Sequence, residues 1–124
     1  MNRIMLIGKI HTARLTSCEI EYEGSMEIDV DILREAGILP YEKILVVNRR
    51  NGERLETYAI PGPGGSKVFC LNGPAALKGK AGDIVTIMAF AVLTEAEAAA
   101  VEPKIVVMNE NNDIAVRKGR KPGY

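Results

Sequence analysis

Glycine followed by serine in the stretch Tyr22-Glu23-Gly24-Ser25 sets a hydroxyl beside a peptide carbonyl that no side chain on the glycine shields. A turn is one use of that pair, since glycine supplies unusual dihedrals and serine hydrogen-bonds locally. A nucleophile is another, with Ser25 as the attacking group and His11 as its base. His11 is the sole histidine, so a histidine-based metal cluster is excluded and any Ser-His relay must use this residue. Ser25 lacks the G-x-S-x-G context of a hydrolase elbow. Lys9 lies two residues before His11, and Arg54, Thr57 and Tyr58 place a cation, a hydroxyl and a phenol within five positions. The segment Gly62-Pro-Gly-Gly-Ser-Lys67-Val68 superficially suggests a phosphate loop. It fails the pattern, because Ser66 precedes the lysine where glycine is needed and Val68 follows where Ser or Thr would hold magnesium. Cys18 and Cys70 lie far apart with no C-x-x-C spacing, so they suggest neither zinc nor a disulfide framework.

Mostly strands have to position these groups. Residues 3–16 read as one long strand with a bend at Gly8, which puts Lys9, His11 and Ala13 on one face and Gly8, Ile10 and Thr12 on the other. After the Gly-Ser pair, Asp29 or Asp31 caps a short helix that Gly37 and Pro40 end. Asn51-Gly52 marks a hairpin because both residues tolerate positive φ, and its returning strand carries Arg54, Thr57 and Tyr58. Residues 61–65 are a loop by composition, and residues 67–73 read as a strand ending at a turn. The most apolar stretch, residues 82–93, reads as a central strand. Thr94 and Glu97 have capping-box spacing, so a short helix follows, closed before Pro103, and residues 104–110 supply a last strand. Many short strands with two short helices predict a mainly β domain, closed into a barrel to remove exposed edges.

A chain of 124 residues with 47% hydrophobic and 26% charged residues fits one globular domain, expected over residues 1–116, with residues 117–124 a mobile basic tail. Sixteen basic residues balance sixteen acidic ones, which argues against nucleic acid and anionic membrane as partners. No apolar run reaches bilayer length and the first residues lack a signal-peptide core, so the expected location is the cytoplasm. A non-catalytic β-barrel binding module is the rival to an enzyme. Against it stand the neutral charge and the lack of an aromatic platform.

Taken together, Gly8-Lys-Ile-His11, Tyr22-Glu-Gly-Ser25, Ile28-Asp29, Ala36-Gly-Ile38, the run 51–60, Leu71-Asn-Gly73 and Gly82-Asp-Ile-Val85 resemble pyruvoyl-dependent aspartate 1-decarboxylases, with the spacings kept from residue 1 into the helix after Thr94. The resemblance implies a double-psi β-barrel with short helices, assembled as a homotetramer with active sites between subunits. It also implies a precursor that cuts itself at Gly24–Ser25 into chains 1–24 and 25–124, leaving residue 25 as a covalent pyruvoyl group. Glycine suits such a cut by exposing its carbonyl and accepting a strained backbone. The substrate implied is L-aspartate, decarboxylated to β-alanine for pantothenate and coenzyme A supply, with no metal and with a maturation helper protein in some relatives.

By the same resemblance, Tyr58 is the proton donor and Arg54 and Lys9 hold the substrate carboxylates. Thr57 polarises the Gly24 carbonyl during the cut. Asn72, Tyr22 and His11 match pocket or processing positions, and Gly73 allows close backbone approach to the ligand. The sequence departs from the family pattern at Pro74, where alanine is usual and a backbone N–H is lost. The loop 61–67 also differs from the charged segment of many relatives.

Overall fold

A computed structural model of the chain describes residues 1–119 and bears out a mainly β protein. Along the chain run β1 (Asn2–Arg14), β2 (Ser17–Glu19), β3 (Ser25–Asp29), α1 (Val30–Ala36), β4 (Lys43–Asn48), β5 (Arg54–Gly62) and β6 (Phe69–Asn72). A 3-10 turn (Gly73–Lys78), β7 (Ile84–Thr94), α2 (Glu95–Ala100), β8 (Lys104–Met108) and β9 (Ile114–Lys118) complete it. The strands form one mixed nine-stranded sheet in the order β2-β6-β3-β5-β4-β7-β1-β8-β9. As the apolar run predicts, β7 lies inside the sheet, antiparallel to both β1 and β4.

The long first strand bends where the sequence places Gly8, at a register shift between Leu6 and Gly8. Glycine is required there because a Cβ would collide with the Ala36 carbonyl oxygen at the end of α1. A second shift falls between Ile10 and Ala13, with Thr12 at φ 59°. That bulge overturns the expected alternation: Ala13 joins Ile10 in the core rather than Lys9 and His11 on the outer face. Both helices form as their caps dictate. Asp29 accepts from the Asp31 N–H, Gly37 closes α1 at φ 68°, and Thr94 and Glu97 make a reciprocal capping box for α2.

The expected hairpin around Asn51-Gly52 forms between β4 and β5, through a five-residue loop, 49–53, in which only Gly52 takes a positive φ. Other local readings change. Pro61 and Gly62, expected in a loop, extend β5, where they pair in parallel with Ile28 and Asp29 of β3. Proline fits because its neighbour strand need not receive its missing N–H. The basic stretch from residue 117 begins inside β9, where Arg117 pairs with Glu35 on α1. Residues 120–124, the rest of the expected tail, lie outside the described residues.

The core is built from the inward positions of β1, β3, β4, β6 and β7 with α1 packed against it, and includes Ile10, Met26, Leu33, Ile44, Phe69 and Ile87. One buried polar knot anchors its edge. Asp83 accepts from Arg50 Nε (2.7 Å) and Nη2 (3.0 Å), Asn48 Nδ2 (2.8 Å) and the Lys80 N–H (3.0 Å). These bonds, the Arg50 guanidinium first, hold its carboxyl well below the usual carboxylate range against the opposing effect of burial. No helix among the described residues is long and apolar enough to cross a membrane.

Candidate active site

Ser25 opens β3, and the two strands flanking β3 decide what it meets. Antiparallel pairing with β6 sets Ser25 opposite Asn72, and the Asn72 Nδ2 donates to Ser25 Oγ at 3.1 Å. On the other side β5 runs parallel, with Met26 paired to Ala59, both wholly buried. Ser25 and Tyr58 each precede a member of that pair, so they begin adjacent outward positions of the two strands. Ser25 is nevertheless only 3% exposed. Its hydroxyl also lies 3.4 Å from the Glu23 carbonyl oxygen.

Gly73 presses its backbone onto the Tyr22–Gly24 segment. A Cβ at this position would stand 2.8 Å from the Gly24 nitrogen and 2.9 Å from the Gly24 Cα and the Tyr22 carbonyl oxygen, and φ is +68°. Both conditions demand glycine. Gly24 itself is under neither constraint: its φ is not left-handed and a Cβ there would meet nothing within 4 Å. The crowded glycine of the two is therefore Gly73, and its close approach is to the Tyr22–Gly24 segment. Pro74 follows within the first two positions of the 3-10 turn, where a backbone N–H has no partner inside the turn, so the missing donor leaves that turn intact.

Lys9, His11, Arg54 and Tyr58 share the sheet's outer face. His11 Nδ1 lies 3.4 Å from Thr86 Oγ1 on β7, Thr86 pairs with Val47 on β4, and Val47 pairs with Arg54 on β5. One row over, Lys9 pairs with Met88, Met88 with Leu45 and Leu45 with Glu56. Among the described residues neither Lys9 nor Arg54 enters an ion pair, while the neighbouring Lys43 is bound to Glu56 at 2.8 Å. Burial, then the cations Lys9, Lys118 and Arg49, hold the His11 imidazole below its ordinary value. Tyr58 lies with its ring centroid 6.1 Å from that of Tyr41.

Within one chain these residues form two groups. Ser25, Gly24, Asn72 and Gly73 meet directly, with Tyr58 in the next strand position. Lys9 and His11 sit on β1, four strand steps from β3 in the sheet order, or roughly 19 Å measured along the sheet. Thr57 points to the other side of β5, opposite the buried Ile44. The Tyr22 side chain is exposed, and only its carbonyl approaches Gly73. Two shallow grooves mark the outer face. One of about 270 Å³ is lined by His11, Thr12, Val47, Arg49, Ile84 and Thr86, and one of about 320 Å³ includes Ile4, Lys43, Leu45, Phe90 and Val92. A cleft of about 500 Å³ between α1, β8 and β9 holds none of the expected residues.

Sequence reasoning missed Thr86 beside His11 and Cys70 beside Asn72. Cys70 Sγ lies 3.3 Å from Asn72 Oδ1. The signal was available, since residues two apart on a strand share a face.

A buried serine opening a strand, preceded by an unhindered glycine, donated to by an amide and backed by a second glycine, defines a small β protein with a tightly held Gly-Ser pair. The pattern of the aspartate decarboxylase family matches residues 1–115. The chain is 47% identical to the aspartate 1-decarboxylase of Moorella thermoacetica over 99% of its length and 97% of that protein's. It is 53% identical to that of Neisseria meningitidis over 92% and 90%, and 46% identical to that of Bacillus subtilis over 98% and 96%. The chain belongs to the aspartate decarboxylase family.

Proposed function

We propose that this chain cuts itself between Gly24 and Ser25, converts residue 25 to a pyruvoyl group and decarboxylates L-aspartate to β-alanine, as a cytoplasmic enzyme in the supply of pantothenate and coenzyme A. The observation that carries the reading is the buried Ser25, held by Asn72 directly after an unhindered Gly24, in a chain of this family. In the cut, Ser25 Oγ attacks the Gly24 carbonyl carbon, the Gly24 C–N bond breaks, and the hydroxyl proton passes to the freed nitrogen, giving an ester. The Cα proton of residue 25 then passes to water as the Cβ–Oγ bond breaks, and Oγ leaves as a carboxylate oxygen of Gly24. Water replaces the nitrogen of the resulting dehydroalanine, which departs as ammonia, and the ketone remains. Thr57 is assigned to polarise the Gly24 carbonyl.

The residues around Ser25 fit a ketone there. Asn72 Nδ2 addresses Ser25 Oγ, the oxygen that departs with Gly24, so its amide stays beside residue 25 as a polar neighbour, and Gly73 adds no side chain. The pyruvoyl group supplies an electrophilic carbonyl that captures an amine and accepts the electron pair released with carbon dioxide. Arg54 offers a planar guanidinium for bidentate contact with one substrate carboxylate, and Lys9 offers a point charge for the other. Both lack ion-pair partners among the described residues, which leaves them available for a dianion. The Tyr58 phenol holds the proton delivered to the substrate carbon.

The family resemblance extends to a homotetramer with active sites between subunits. The apolar outer groove with exposed Ile4, Phe90 and Val92 is consistent with such packing. The mixed sheet, in which β3 and β6 each have one parallel and one antiparallel neighbour, supports the double-psi barrel. Intact mass under denaturing conditions tests the reading. Two fragments ending at Gly24 and beginning with a pyruvoyl-blocked residue 25, absent in Ser25→Ala, are expected, followed by β-alanine formation from aspartate. A folded chain that remains at 13.5 kDa, even with candidate helper proteins, overturns it.

A further inference from the structure

An asparagine amide has two ends of nearly equal size and opposite hydrogen-bonding character, so the partner at one end decides what the other end presents. At Asn72 the end facing Ser25 is the NH2, 3.1 Å from Oγ, and the end facing away is Oδ1, 3.3 Å from Cys70 Sγ. All three side chains are buried, at 3%, 7% and 3% exposure for Ser25, Asn72 and Cys70, so water does not set the amide's orientation. The Cys70 sulfur has a more distant acceptor in the Leu71 carbonyl at 3.9 Å, and it stands opposite Ser17 of β2 in the sheet register. Burial pushes the thiol's pKa up, which keeps it an S–H donor.

We propose that Cys70 is a positioning residue for the cut: its thiol donates to Asn72 Oδ1 and thereby turns the amide NH2 toward Ser25 Oγ. The inference rests on the proposed cut at Gly24–Ser25. Its chemical consequence falls in the second step. When the Cβ–Oγ bond breaks, the electron pair stays on Oγ, and a donor already aimed at that atom stabilises the developing carboxylate charge. With the amide reversed, Oδ1 would face Oγ and oppose that charge. In the uncut chain the same arrangement sends the Ser25 hydroxyl hydrogen toward its other contact, the Glu23 carbonyl.

The test follows the time course of cutting by denaturing intact mass on the full chain, with Cys70→Ser, Cys70→Val and Cys70→Ala, each also melted thermally. Serine keeps a donor, valine keeps the volume without one, and alanine removes the donor without adding bulk. The serine variant is expected to cut within about twofold of the natural rate, and the valine and alanine variants about three- to tenfold more slowly, the range of one lost hydrogen bond. Equal rates for serine and valine, whether fast or slow, overturn the role assigned to Cys70 and leave the cut itself standing. A natural chain that folds and never cuts overturns the processing reading, and this inference with it.

Discussion

Replacing Gly73 with alanine is expected to slow the cut sharply while most of the fold survives. The new Cβ would lie 2.8 to 2.9 Å from three backbone atoms of the Tyr22–Gly24 segment. Restoring an ordinary contact of about 3.5 Å needs a displacement of roughly 0.6 Å. The +68° φ adds about 1–2 kcal/mol for any residue with a side chain. That strain is small beside the stability of a domain, and at about 4 °C per kcal/mol it lowers the melting temperature by about 4–8 °C. The displacement acts differently, because the Gly24 carbonyl and the Ser25 hydroxyl must meet in a near-attack geometry. A 1 Å misplacement can cost about a hundredfold in rate, so the shift predicts a cut on the order of ten- to a hundredfold slower. Fragment formation followed by intact mass, with melting of the same samples, separates the two effects. Gly24→Ala is the folding control, since its Cβ meets nothing within 4 Å. A Gly73→Ala chain that cuts at the natural rate would refute the claim that this contact positions the scissile segment, as would Gly24→Ala melting lower than Gly73→Ala.

Asp83→Asn is expected to destabilise the fold by about 1–3 kcal/mol, because the buried site loses the charge that Arg50, Asn48 and the Lys80 N–H all address; thermal melting measures it. The same carboxyl has a folded pKa below its unfolded value of about 3.9, so its contribution is complete above that pH and is lost as pH falls toward the folded value. Acid unfolding should therefore be less steep below about pH 4 in Asp83→Asn than in the natural chain. His11, the sole histidine, should titrate below 6.5 by NMR, and Lys9→Met should raise its midpoint. Because the folded pKa is lowered, the stability linked to His11 is present above about pH 6.5 and declines as pH falls through the folded value.

Features that depend on a few neighbouring residues were legible in the sequence. Asp29 and Gly37 around α1, Thr94 and Glu97 at α2, and the bend at Gly8 all form as local chemistry dictates. Features set by partners far along the chain were not. Pro61 and Gly62 are turn residues by composition, yet β3 offers them a parallel edge and they become strand. Thr12 takes a left-handed φ and shifts Ala13 to the core because β1 must match β7 on both sides of a bulge, which alternation alone cannot reveal. At the candidate site, the types and spacing around Ser25 were readable through a family resemblance. Its assembly across the register of β3, β5 and β6, with Ser25 and Asn72 lying 47 positions apart, was not. That Gly73 packs its backbone against the Tyr22–Gly24 segment was likewise hidden, since only the folded chain shows which backbone is crowded.

The first strand lies between β7 and β8, with Ile10 and Ala13 wholly buried, and β2 is paired to β6 before the chain reaches Gly24. A break at Gly24–Ser25 therefore severs a connection and removes no part of the sheet. The molecule so opened would be a noncovalent two-piece protein whose smaller piece carries one interior strand, β1, and one edge strand, β2, retained by the same burial and pairing that held them before. Unfolding such a molecule would be a one-way event for the covalent chain: the pieces can find each other again, but they cannot rejoin. Its resistance to heat should then depend on how dilute the sample is, a dependence that the loss of a covalent link adds relative to an uncut Ser25→Ala chain.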